Sequence, residues 1–171
     1  MVIDCHVHVC AMTPEHGLTS DRLLDTLPFR FMRWRLGILG NDERTERQIE
    51  ARLAEALDNT PELDAAVVLA FDWVYSDSGV FDSARTHLFV KNDYVIELCQ
   101  RHAKMRFGAS INPLRKDALV ELERCVAAGA VLLKWLPIVI GRSVRFHRCF
   151  NWGRGQWPNC FAKATGCGGM C

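Results

Sequence analysis

No acidic residue occurs between Ile138 and Cys171, although the chain carries 20 Asp and Glu in all. That absence splits the 171 residues into two compositions. Residues 1–137 hold 16 Lys and Arg against the 20 acids, a net charge of −4, whereas 138–171 hold five basic residues, +5. Half of the eight cysteines (Cys149, Cys160, Cys167, Cys171) and half of the twelve glycines also fall in the second segment.

Other absences exclude function classes. There is no run of about eighteen apolar residues, so no segment is expected to cross a membrane and no membrane partner is expected. The N-terminus lacks a basic stretch followed by an apolar core, and Asp4 sits inside its first apolar segment, so no signal peptide is expected and the chain reads as cytoplasmic. An overall charge of +1 argues against a nucleic-acid binder by bulk electrostatics. The tail cysteines lack the close CxxC pairs that zinc ribbons need. Arg142, Arg145, Phe146, Arg148, Phe150 and Trp152 give only a weak signal for RNA contact.

What is present is the alternation of an α/β protein. In Val2–Val9, Ile3, Cys5, Val7 and Val9 are apolar on one side, with Asp4, His6 and His8 on the other, a strand pattern. Residues 10–40, with Pro14, Gly17, Pro28, Gly37 and Gly40, read as a long loop with one short helix. Asn41 is placed to cap a helix through Asp58, with Ile49, Leu53 and Leu57 as its apolar stripe. Ala65–Phe71 has the length and continuous apolarity of a strand covered on both faces, followed by a second long loop over 72–91. A helix is predicted over 92–104 with Val95, Ile96, Cys99 and Ala103 on one face. A strand over 106–111 follows, stopped by Asn112-Pro113. The clearest helix spans 114–128, striped by Ala118, Leu119, Leu122, Cys125 and Val126, with Gly129 at its C′ position. Residues 130–136 give a last strand, closed by Pro137. The order implies parallel strands joined by helical crossovers, with chemistry at their C-terminal ends.

The chemistry-bearing residues follow from that frame. His6 and His8, at i and i+2 of a strand, leave one face roughly 6.5–7 Å apart at Cα, so two imidazoles can converge on one divalent ion. Taken alone, the pair is equally a wet strand face. Because the other strands read as buried, the polar face of strand one is expected to point into an interior, where histidines need a partner. Asp4 lies on the same face and can orient a ligand imidazole from behind.

"VIDCHVHV" resembles the metal-binding first strand of the amidohydrolase superfamily, in its amidohydrolase-related branch of metal-dependent hydrolases and aminocarboxymuconate-semialdehyde-type decarboxylases. Residues 107–137, "FGASINPLRKDALVELERCVAAGAVLLKWLP", are similar to the third strand, third helix and fourth strand of that branch. The resemblance covers 1–137 and implies a (β/α)8 TIM-type barrel, His6 and His8 as metal ligands, a divalent ion, most often zinc, and a small-molecule substrate. It implies hydrolysis or decarboxylation at a C–N, C–O or C–C bond. Lys134 ends the fourth strand. Some branches use a carboxylated lysine there, and the preferred alternative is an amine that balances a carboxylate or binds an anionic substrate. Asp72 can face the same site or cap a loop. Asn112 reads as a turn residue; His16, His87 and His102 have no supporting pattern, and His102 reads as helix surface. Residues 29–35, "FRFMRWR", can belong to a lid but read better as a solvated amphipathic helix.

A barrel of this kind takes roughly 250 residues and eight strands, and only about four βα units are present. The family's remaining ligands, histidines on strands five and six and an aspartate on strand eight, have no counterparts; His147 is the one histidine after Pro137. Residues 138–171 therefore read as an irregular, frameshifted tail rather than a domain. Codons for Gly141–Arg145 can be chosen so that a one-base shift reads Asp-Pro-Ser, and resequencing the gene tests this. Three functions are carried forward: a metal-dependent hydrolase truncated and inactive alone, a non-catalytic half-barrel that self-associates through open strand edges, and RNA binding through the basic tail. In a truncated chain the zinc is expected to be weakly held or absent.

Overall fold

A computed structural model describes residues 1–38 and 40–135, and shows a mixed α/β protein built on a curled, half-barrel sheet of four parallel strands. The elements run β1 (Ile3–His8), β2 (Gly17–Thr19), α1 (Asp21–Leu24), α2 (Leu27–Leu36), α3 (Glu43–Asp58), β3 (Ala65–Leu69), β4 (Leu88–Val90), α4 (Asn92–Arg101), β5 (Met105–Ser110), α5 (Ala118–Ala127) and β6 (Leu132–Lys134). The sheet order is β1-β3-β5-β6, each strand beside the parallel strand that precedes it in the sheet, with no reversal of direction of growth. The expected tail, 138–171, and its cysteines, basic residues and His147 lie outside the described residues.

The core forms where apolar runs meet amphipathic helices. All five residues of β3 are buried, as its unbroken apolar run requires of a central strand. Val95 and Leu98 of α4 and Leu122 and Cys125 of α5 pack against the sheet with Val68, Met105 and Phe107. Gly108 makes the β3–β5 contact possible: a Cβ there would stand 2.5 Å from Leu69 Cδ2 and 2.9 Å from Val67 Cγ1.

Several expectations are corrected. The 10–40 and 72–91 segments are not plain loops: β2 and β4 pair antiparallel, and Phe71 bridges to Val90, a long-range pairing that local pattern cannot reveal. The 10–40 segment holds two helices rather than one. The cap of α3 is Asp42, whose carboxylate accepts from Thr45 N at 2.9 Å, not Asn41. On α4 the buried face turns toward Tyr94 and Leu98, with Ile96 and Cys99 only partly covered. On α5, Val126 is exposed because it lies at the margin of the stripe centred on Ala118, Leu122 and Cys125. The polar face of β1 is not enclosed either: Asp4, His6 and His8 are exposed, since β1 is an edge strand of a curled sheet rather than one wall of a closed interior.

Candidate functional site

The C-terminal ends of the parallel strands bring His6, His8, Phe71 and Lys134 together. In β1, a register shift between Asp4 and Val7 bends the strand as a bulge does, while Asp4 Oδ1 accepts the His6 backbone N–H at 2.9 Å. The two imidazoles then meet edge to face, centroids 4.7 Å apart, with Nε2 to Nε2 at 2.9 Å. One ring nitrogen donates its proton and the other accepts, so at least one tautomer is fixed by the contact. Asp4 is on the predicted strand, yet its carboxylate holds backbone rather than an imidazole.

His8 also lies against Phe71, ring centroids 4.9 Å apart, and the Lys134 Nζ sits 3.6 Å from the centre of the same ring. A cation over an aromatic face is a favourable pairing that partly compensates a desolvated ammonium. Lys134 is only 8% exposed, and burial lowers its amine to about 8. Burial first, then the Lys134 charge and then His6, lower His8 to about 4. His8 is consequently a neutral imidazole, with a lone pair to offer, throughout the neutral range.

Asp72 is placed differently. It follows Phe71, is almost entirely covered, and spends its oxygens on Trp73 N (2.8 Å), Asn112 N (2.7 Å) and the Arg115 guanidinium (3.3 Å). Burial raises its pKa above the usual carboxylate value, against the opposing pull of those donors. Its own N–H donates to Ser110 Oγ, so the residue ties the end of β3 to the end of β5. Asn112 is the turn residue expected: its Oδ1 accepts Leu114 N at 3.0 Å, and its Nδ2 donates to Trp73 O.

Sequence reasoning missed two groups. Phe71 reads as the last core residue of an apolar run, and nothing in the pattern shows that it separates His8 from Lys134. Glu46, one turn into α3, is a buried carboxylate that accepts from Met12 N (2.7 Å), Thr13 N (3.1 Å), Thr13 Oγ1 and His16 Nδ1. His16 in turn stacks on Tyr94 at 4.1 Å, so a histidine without sequence support anchors the loop after β1. His102 bonds Glu50 at 2.9 Å, and His87 approaches Ser20 Oγ at 3.2 Å, both in structural roles.

Two imidazole nitrogens at this spacing suit a shared divalent ion. Among the described residues, however, no group of three or more His, Cys, Asp or Glu side chains joins them. Zinc sites ordinarily take three or four protein ligands, so the donor set fits an ion in part only. In comparisons with known proteins, no family model, curated protein or solved structure matches this chain. What the fold and the site define is a mixed α/β protein with a paired-histidine and lysine cluster at the C-terminal edge of its parallel sheet.

Proposed function

We propose that the chain is the N-terminal part of a metal-dependent hydrolase of the amidohydrolase type, its curled sheet about half of a (β/α)8 barrel. The observation that carries this reading is the 2.9 Å approach of the His6 and His8 Nε2 atoms at the C-terminal end of β1. Their role is to hold a divalent ion, zinc by preference. When bound, such an ion polarises a substrate carbonyl and makes a water acidic enough to attack at neutral pH. His8, neutral above about 4, presents its lone pair without competition from protons. Lys134, mostly protonated at neutral pH, offers a positive charge to an anionic small molecule beside Phe71. With two ligands among the described residues the ion is weakly held, and the chain alone does not turn over a substrate.

Calorimetric titration with zinc tests the assignment. One weakly bound ion per chain, lost in His6→Ala, is the expected result; no binding, or binding unchanged in that variant, overturns it.

A second reading, a non-catalytic half-barrel that self-associates, is favoured by the position of β1 and β6 at the two edges of the sheet among the described residues and by the exposure of Val2, Ile3 and Val131 beside them. The Asp4 carboxylate on the His6 amide weakens it, because it occupies a donor of the β1 backbone. A monomer at high concentration in sedimentation velocity rejects this reading. RNA binding by the basic tail concerns residues outside those described.

A further inference from the structure

The helix α2 is well made yet has no buried residue. Thr26 stands before it in extended backbone, Pro28 occupies its first turn, and Gly37 ends it in the left-handed region at φ 67°. There Gly37 N donates to Trp34 O and Ile38 N to Arg33 O, the paired closing bonds of a helix C-terminus. The helix is thus preformed, and its outward face is fixed.

That face is apolar. Leu27 is 80% exposed, Phe31 63% and Trp34 67%, and the Phe31 and Trp34 rings lie 5.9 Å apart. At i, i+4 and i+7 the three side chains fall within about 60° of the helix circumference at 100° per residue. Arg30 and Arg35 flank the stripe, about 40° beyond each margin on the same geometry. Both are exposed, and neither side chain has a hydrogen bond or ion pair among the described residues. Arg47, Arg52, Arg101, Arg115 and Arg124 are, by contrast, each paired with a carboxylate. No acid occurs from Thr26 to Asn41.

We infer that α2 docks on a lipid surface bearing anionic headgroups, with Leu27, Phe31 and Trp34 entering the headgroup boundary and Arg30 and Arg35 reaching phosphates on either side. Large apolar residues left in water on one stripe mark an interaction surface, and aromatic rings flanked by unpaired arginines suit the bilayer interface. Charge complementarity selects the occupant. The 138–171 segment, at +5 and without an acid, offers no charge complementary to these arginines, whereas an anionic surface does. A helix lying on a bilayer needs neither the length nor the all-round apolarity of a span. The expectation of no membrane contact, drawn from the lack of a long apolar run, does not reach it.

Co-sedimentation of the full chain with vesicles of phosphatidylcholine and phosphatidylglycerol, mixed about two to one, tests the proposal. The chain should pellet with these vesicles and not with pure phosphatidylcholine. Binding should fall about tenfold or more on raising salt from about 0.1 M to about 1 M, where the Debye length shrinks to about 3 Å. Phe31→Ser/Trp34→Ser and, independently, Arg30→Glu/Arg35→Glu should each reduce it by a similar factor with an unchanged circular-dichroism spectrum, since all four side chains are exposed. Failure to pellet with the anionic vesicles overturns the proposal. So does binding that both double variants leave intact, which would assign it to residues 138–171. A dimer that the apolar double variant dissociates, without vesicle binding, also overturns it and makes a second copy the occupant.

Discussion

The Lys134 ammonium lies 3.6 Å from the centre of the Phe71 ring, and no carboxylate pairs with it among the described residues. Burial holds its amine at about 8 instead of 10.5. Between those values the unfolded chain binds more protons than the folded one, so stability rises with pH from about 8 to 10.5, and below 8 the full cost is present. At 1.36 kcal/mol per pH unit that cost is about 3 kcal/mol, part of which the ring contact offsets. Lys134→Met should therefore stabilise the chain at pH 7 by about 1–3 kcal/mol in urea melts. It should also remove the gain seen toward pH 10; a less stable variant at pH 7 contradicts the argument.

His8 gives a dependence at the acid side. Its folded value near 4 lies below the 6.5 of an unfolded histidine. The unfolded chain then takes up protons first, so this contribution is fully present above 6.5 and is lost as pH falls toward 4. The His8 ring resonances should titrate with a midpoint near 4 in NMR spectra. Lys134→Met, by removing the neighbouring charge, should move the midpoint upward. A midpoint near 6.5 in the wild type would show that partial burial and the Lys134 charge do not act on the ring.

Glu46 is the most heavily bonded buried carboxylate at the loop after β1. Glu46→Ala strands the Met12 and Thr13 amides, and should cost about 3 kcal/mol by denaturant unfolding. Glu46→Gln keeps an acceptor for those amides and should cost less, about 1 kcal/mol. Equal losses in the two variants would mean that the negative charge, not the hydrogen bonding, is what the loop requires.

Gly108→Ala should be as harmful as a cavity mutation, about 2 kcal/mol or more, because its Cβ would press on Leu69 and Val67 in the centre of the sheet. Pairing it with Leu69→Ala should recover part of the loss. Absence of any recovery would place the strain on the backbone, where Val68 O stands 3.1 Å from the added carbon.

The parallel sheet was legible because each strand carries a local signature: the alternation around His6 and His8, the apolar run of Ala65–Leu69, and the proline after Asn112. The β2–β4 pair was not, since Gly17–Thr19 and Leu88–Val90 are too short to show a period and pair only through the fold. The same distinction holds at the site. The histidines could be read from their spacing, whereas the enclosure of Lys134, the wall made by Phe71 and the turning of Asp72 toward Asn112 and Arg115 depend on contacts between distant segments. Glu46 shows the limit most plainly, because a glutamate in a first helical turn looks like any helix-start carboxylate until Met12, Thr13 and His16 close around it.

The order β1-β3-β5-β6 has a consequence for the nascent polypeptide. Every strand of this sheet docks on the sheet strand synthesised before it, so emergence from the ribosome and growth of the sheet run in the same direction. The histidine-bearing strand is then the template on which the rest is laid, contacted on one side by β3 from the start. Asp64, just ahead of β3, fastens the start of that strand by accepting Val2 N on its carboxylate at 2.6 Å and donating its own N–H to Val2 O at 2.9 Å.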